Sequence, residues 1–316
     1  MKFLYGIQNN YNDITTKVYE KCIINNKIHI PSNDLARASI FGDPLIQVVK
    51  HIVLEDEYGK KIFTINDEIN IPLNKEIKTK YDIVFLIISS KNKNCYQEMK
   101  RLTSIYMRKY AYNIKFFFVE GDPNIRVPIE VIDNNIFVKD KETYSPGIFI
   151  KTVKALRYIN DNYNYDYLVR TNASSFFNIE NMLNFLNNLP KENYAVGFTL
   201  NIPVHGNFLH GTSTIITKDI SYYLYNYNNF NLKIADDVLM SLILKSHNIT
   251  LNVLDETRLQ FLINNIYDES QPKLLAEDNI LYYRVKNDNN GNRDLDIMYF
   301  KFLLQKIYNV FQFFIT

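Results

Sequence analysis

At 316 residues, with 47% hydrophobic and 22% charged side chains, the chain has room for two domains and the composition of an ordinary globular protein. A net charge of +2 without a Lys/Arg block gives no electrostatic footprint for DNA or RNA. Two cysteines, Cys22 and Cys95, are too few for a disulfide scaffold or a Cys-built zinc site, and no two histidines have helical metal spacing.

The chain opens on Met1-Lys2-Phe3-Leu4-Tyr5-Gly6 and turns polar at once, without the apolar core of a signal peptide; a cytosolic location is the expectation. Short alternating runs at Lys27–Ile30, Ile46–Val53 and Lys61–Ile65, broken at Pro31–Asp34 and Phe41–Pro44, predict a small β-rich domain over residues 1–76. Tyr5-Gly6, Asp13-Ile14-Thr15, Phe41-Gly42-Asp43-Pro44 and Val49-Lys50 resemble the pattern of a small β-sandwich module. That resemblance names no activity and implies an attachment or packing role. The segment 71–76, Ile-Pro-Leu-Asn-Lys-Glu, reads as the linker.

From residue 79 to 316 the texture becomes α/β. Ile83–Ser90, Ile114–Glu120 and Tyr165–Thr171 are near-continuous apolar runs that suit buried parallel strands. Glu98–Tyr110 and Gly147–Asn162 read as helices between them, the latter with Ile150, Val153, Leu156 and Ile159 on one face. A helix from Ile179, strands at Tyr194–Leu200 and Ser213–Thr217, and a strand-like run at Ile280–Lys286 follow. Alternation of this kind predicts an α/β layered fold with a mostly parallel central sheet. Ligands of such sheets bind beyond the carboxyl ends of the strands, which singles out Ser89, Ser90 and the stretch Arg170–Ser175.

Three segments carry a resemblance. Tyr144, Lys151-Thr152 and Ala155-Leu156-Arg157-Tyr158 lead into Tyr167-Leu168-Val169-Arg170-Thr171-Asn172-Ala173-Ser174-Ser175-Phe176; His210-Gly211-Thr212-Ser213 opens the second segment, and Asp236-Asp237-Val238 is the third. In this order they resemble the β-1,3-galactosyltransferase and Fringe family of inverting glycosyltransferases. The resemblance implies a GT-A-like nucleotide-sugar-binding domain, a nucleotide-sugar donor (UDP-sugar first) and a glycan acceptor. Its metal-binding carboxylate triplet is Asn172-Ala173-Ser174 here. An amide and a hydroxyl supply no anionic oxygen for Mn²⁺ or Mg²⁺, so no metal is expected. Cations must then meet the leaving diphosphate. Arg170, Arg284 and Lys286 are the candidates, with Ser89, Ser90, Thr171, Asn172 and Ser174 as further donor contacts.

An inverting transfer also needs a base for the acceptor hydroxyl. The resemblance implies Asp237, with Asp236 second; capping of the helix that begins there is the alternative reading. His210 and Gly211, in the second matched segment, are expected at the acceptor. Residues 296–314 read as an amphipathic helix with a polar stripe at Lys301, Gln305, Asn309 and Gln312. Packing onto the sheet and peripheral membrane docking both suit it. Two other function classes stay open: a catalytically inactive relative that binds a glycan or nucleotide sugar, and a structural protein with the α/β part as scaffold.

Overall fold

A computed structural model describes residues 2–8, 10–24, 27–56, 59–72, 80–91, 94–227, 234–262, 279–286 and 293–310. The chain divides into two compact units, Met1–Thr79 and Lys80–Thr316. Of the expected linker, Ile71 and Pro72 belong to a strand and residues 73–76 lie outside the described residues.

The first unit runs β1 (Lys2–Ile7), β2 (Asn10–Asp13), α1 (Thr15–Lys21), β3 (Ile23–Ile24), β4 (Lys27–Ile30), α2 (Asp34–Phe41), β5 (His51–Asp56), β6 (Gly59–Phe63) and β7 (Ile69–Pro72). Its strands form two antiparallel sheets, β2-β1-β5-β6 and β3-β4-β7. Phe3, Tyr5, Val18, Ile28, Ile30, Phe41, Ile52 and Leu54 make the core. Two helices were not expected. Asn33, read as part of a break, is an N-cap whose side chain accepts from Leu35 N at 2.8 Å and Ala36 N at 3.3 Å, which starts α2. The strand expected from Ile46 begins only at His51, because residues 45–50 wrap a buried lysine. Lys50 Nζ donates to Leu45 O at 3.0 Å and Val48 O at 2.6 Å, and pairs with Asp43 at 2.9 Å and Asp34 at 3.3 Å. The Tyr5 hydroxyl donates to the same Asp34 at 2.5 Å. Tyr5, Asp43 and Lys50, scattered through the sequence pattern, are thus one polar knot that fixes the unit's loops.

The second unit continues with β8 (Lys80–Ile88), α3 (Asn94–Met107), β9 (Ile114–Gly121), β10 (Ile129–Ile132), β11 (Asn135–Val138), α4 (Gly147–Asn162), β12 (Asn164–Asn172), β13 (Ser175–Phe177) and α5 (Ile179–Leu186). Then come β14 (Ala195–Gly197), β15 (Thr199–Ile202), β16 (Gly206–Leu209), β17 (Thr214–Thr217), α6 (Lys218–Tyr225), α7 (Asp236–Ser246), β18 (Leu251–Val253), β19 (Leu259–Leu262), β20 (Tyr282–Val285) and α8 (Asp294–Tyr308). The central sheet has the order β10-β11-β9-β8-β12-β17-β14-β18. Its heart, β11-β9-β8-β12, is parallel, while β17 runs antiparallel between β12 and β14.

The apolar runs are continuous because both faces of this sheet are covered. On β8, Ile83, Phe85 and Ile87 enter one core with α3, α5 and α8, whereas Val84, Leu86 and Ile88 enter the other with α4, α6 and α7. Leu168 and Arg170 share a strand face, so this parity sends Arg170 to the side of α4 and α7. The strand expected over Tyr194–Leu200 is two elements: β14 in the sheet, and β15, which turns away into a hairpin with β16. Helix α8 begins at Asp294 and its apolar face (Tyr299, Phe300, Leu303, Leu304, Tyr308) is buried in the first core. Residues 311–314 of the expected helix lie outside the described residues. No helix among the described residues is long and apolar enough to cross a membrane.

Candidate functional site

Strand β12 ends the parallel core of the sheet, and the chain beyond its carboxyl end gathers the polar residues of the unit. Asn172 is the last residue of β12, and the next strand, β13, pairs antiparallel with β20 with Ser175 opposite Arg284. Arg284 donates to the Ser174 hydroxyl in a short hydrogen bond. No carboxylate among the described residues lies within ion-pair distance of Arg284. Burial and then the neighbouring Arg293 lower its guanidinium to about 10, against the opposing pull of Tyr96, Tyr282 and Asp296. It remains cationic at neutral pH, which is the state an anion receptor requires.

The second matched segment faces this from β17. The His210–Ser213 loop precedes β17, whose antiparallel pairing with β12 sets Thr214 beside Arg170. The Thr171 hydroxyl donates to Thr212 O, and the Ser213 hydroxyl donates to the Tyr282 hydroxyl at 2.7 Å, so the loop is bound to both β12 and β20. His210 Nδ1 shares a 2.8 Å hydrogen bond with Thr212 Oγ1. Burial holds the His210 imidazole below the usual histidine range; Asp237 pulls it up, while Arg284, Arg170 and Lys286 push it further down. One imidazole therefore feels Asp237 and all three candidate cations.

The acidic pair opens α7. Neither aspartate is the N-cap, which is Ala235 without a side-chain cap; both stand in the first turn, where the helix dipole favours negative charge. Asp237 Oδ2 accepts the Gly211 amide at 3.0 Å, and Oδ1 accepts the Val238 amide at 2.9 Å. Asp236 is paired with Arg170. Burial raises the Asp236 carboxyl above its ordinary value, Arg170 pulls it down, and Asp237 pushes it up again.

Two expectations change. Arg170, expected at a diphosphate, is 2% exposed, and its terminal nitrogens donate to Gly211 O and Asp236. Thr171, expected at the donor, is fully buried with its hydroxyl bound to a backbone carbonyl. Both side chains are enclosed because β17 and the start of α7 cover the end of β12. Ser174 and Arg284 are joined by one hydrogen bond and Gly211 and Asp237 by another, and Asp237, Arg284 and Lys286 all act electrostatically on His210. Ser89 lies at the carboxyl end of β8, and its backbone oxygen accepts from Lys151 at 2.7 Å. Asn172 and Ser90 are partly exposed at the ends of the same two strands. His205 occupies the turn of the β15–β16 hairpin.

Lys151 belongs to the first matched segment. It is 2% exposed, pairs with Glu142, and sits on the sheet-facing side of α4 with Gly147 and Ala155. Glu142 Oε2 accepts the Gly121 amide at 2.7 Å, so this pair ties together the ends of β8 and β9. Burial lowers the Lys151 ammonium, and Glu142 raises it. The available sequence signal was a lysine on the otherwise apolar face of a helix.

A divalent cation does not fit at the position the resemblance assigns it. Asn172-Ala173-Ser174 offers an amide and a hydroxyl, and the Arg284 guanidinium already rests on that hydroxyl. No cluster of three His, Cys, Asp or Glu side chains suited to a metal occurs among the described residues.

No family model matches the chain, and no curated protein matches it. Among solved structures, it is similar to a glycosyltransferase involved in the glycosylation of the major capsid of PBCV-1, at 12% identity and a TM-score of 0.44, over 70% of this chain and 98% of that one. A second similarity is to A197 from STIV, at 11% identity and a TM-score of 0.30, over 55% of this chain and 81% of that one. At these scores neither likeness bears on activity.

Proposed function

We propose that the second unit is an inverting glycosyltransferase that moves a sugar from a nucleotide-sugar donor to a hydroxyl of a glycan. The observation that carries this reading is the His210–Ser213 loop beyond the carboxyl end of β12, which holds the Asp237 carboxylate by the Gly211 amide and meets β20, the strand of Arg284, through the Ser213–Tyr282 hydroxyl bond. The sequence resemblance supplies the reaction class, and the fold is a support of many chemistries.

In this reading the acceptor oxygen attacks the anomeric carbon, its proton passes to Asp237, and the bond from that carbon to the diphosphate oxygen breaks. The leaving nucleoside diphosphate gains negative charge as the bond breaks. Arg284, desolvated and free of a carboxylate partner among the described residues, meets that charge with a forked donor, and Lys286 adds a second cation. His210 is neutral at neutral pH and serves as a hydrogen-bonding wall on the acceptor side. Ser90 and Asn172, both partly exposed, stand at the strand ends where the nucleoside would lie, whereas Ser89 is buried like Thr171. UDP-sugars are the first donors to test.

The test is transfer or donor hydrolysis in EDTA, with UDP-, GDP- and dTDP-sugars, for the wild-type chain and Asp237→Asn. Turnover in EDTA that Asp237→Asn lowers by about 100-fold or more is the expected result, in the range that general base catalysis contributes. Donor binding without turnover in either chain favours the inactive relative, for which the replaced triplet Asn172-Ala173-Ser174 is the specific argument. Turnover that Asp237→Asn leaves unchanged overturns the assignment of the base.

A further inference from the structure

Gly211 sits between two charged groups. Its amide donates to Asp237 Oδ2 at 3.0 Å, and its carbonyl accepts from an Arg170 terminal nitrogen. The other terminal nitrogen of Arg170 holds Asp236, the neighbour of Asp237 on α7. One guanidinium therefore touches both the loop that grips Asp237 and the helix turn that carries it. A Cβ built on Gly211 overlaps that guanidinium and comes within 3.2 Å of Asp237 Oδ2. The far end of a free arginine could swing aside at little cost; this one is pinned to Asp236 and 2% exposed. The glycine is required by the close approach of the two side chains.

We propose that Arg170 is a positioning residue for Asp237: it locks the Gly211 loop to the first turn of α7 and so fixes the carboxylate's direction. The proposal rests on the reading of Asp237 as the base. It replaces the role in which Arg170 binds the donor diphosphate. The planar fork is what allows both partners to be held at once, since a lysine ammonium is a point charge without that geometry. Small displacements of a reacting group are expensive in rate, and an ångström costs about 100-fold.

The groups beside Asp237 are Asp236 on its own helix, His210 and the Gly211 amide on the loop, and Arg170 across Gly211, while Arg284 and Lys286 act on His210. Replacing Arg170 by a neutral residue alone would strand Asp236, so the informative variants keep the balance of charge. Arg170→Lys retains a cation against Asp236. Arg170→Gln with Asp236→Asn removes both charges and keeps polar partners.

The test is steady-state transfer by wild type, Arg170→Lys, Arg170→Gln/Asp236→Asn and Asp237→Asn. The donor KM and kcat are read separately, and thermal melting of each chain is recorded. The expected result is a kcat loss of about tenfold for Arg170→Lys and about 100-fold for the double variant, with donor KM within about twofold of wild type. Wild-type kcat in Arg170→Lys overturns the proposal. A donor KM that rises in step with the loss also overturns it, because the guanidinium would then be a donor contact. If the double variant fails to melt cooperatively, Arg170→Lys decides alone. Asp237→Asn separates the two levels: full turnover in it refutes the base, whereas its inactivity beside an unaffected Arg170→Lys refutes only the positioning role.

Discussion

At the scale of single residues, position along β12 decides chemistry. Arg170 and Thr171 are close in sequence to the loop that meets the ligand in our reading, yet they lie under β17 and α7; Asn172 is partly exposed, and Ala173, Ser174 and Ser175 are buried again. Arg284 is remote in sequence and arrives at Ser174 through the pairing of β13 with β20. It makes no ion pair among the described residues, Asp296 acting on it only at a distance, and a charge-assisted hydrogen bond is worth about 1.5–3 kcal/mol. Arg284→Met is therefore expected to raise the donor Kd by about 10- to 150-fold in calorimetry with the nucleoside diphosphate, with or without Mn²⁺. An unchanged Kd removes Arg284 from the site.

At the scale of elements, α8 shows how a hydrophobic stripe finds its partner. The Tyr308 ring stacks on Tyr106 of α3 with centroids 4.7 Å apart, and its hydroxyl joins two buried backbone groups. It donates to Phe177 O at 2.6 Å and accepts from Ile179 N at 2.9 Å, which closes the gap between β13 and α5. Tyr308→Phe keeps the stack and leaves both backbone groups without that partner, at a cost of about 1–3 kcal/mol. Urea denaturation is expected to show the midpoint falling with an unchanged slope. An unaltered midpoint would show that docking of α8 rests on apolar area alone. The apolar face that the sequence offered either to the sheet or to a membrane surface is occupied by this core.

At the scale of the whole molecule, each unit has its own core: among the described residues, the first unit's core draws on residues between Phe3 and Ile71, and the two cores of the second unit on residues from Tyr81 onward. Units with their own cores are able to fold alone. A chain beginning at Lys80 is therefore expected to melt cooperatively and to keep its stabilisation by a nucleotide sugar in a thermal-shift assay. Loss of the cooperative transition on removing residues 1–79 would show that the second unit depends on the first.

The sequence by itself determined the strand–helix alternation from residue 80, the bounds of α4 at Gly147 and Asn162, and the absence of carboxylates at Asn172-Ala173-Ser174. These follow from local periodicity and side-chain type, which need no partner to be read. It did not determine the helices of the first unit, the split of Tyr194–Leu200 into a sheet strand and a hairpin, or the roles of Arg170 and Lys151. A strand's two faces are chemically equivalent until something packs on them. Only when α4, α7 and β17 close over the end of β12 is one arginine buried against Asp236 and Gly211, while another, more than a hundred residues later, comes to rest on Ser174.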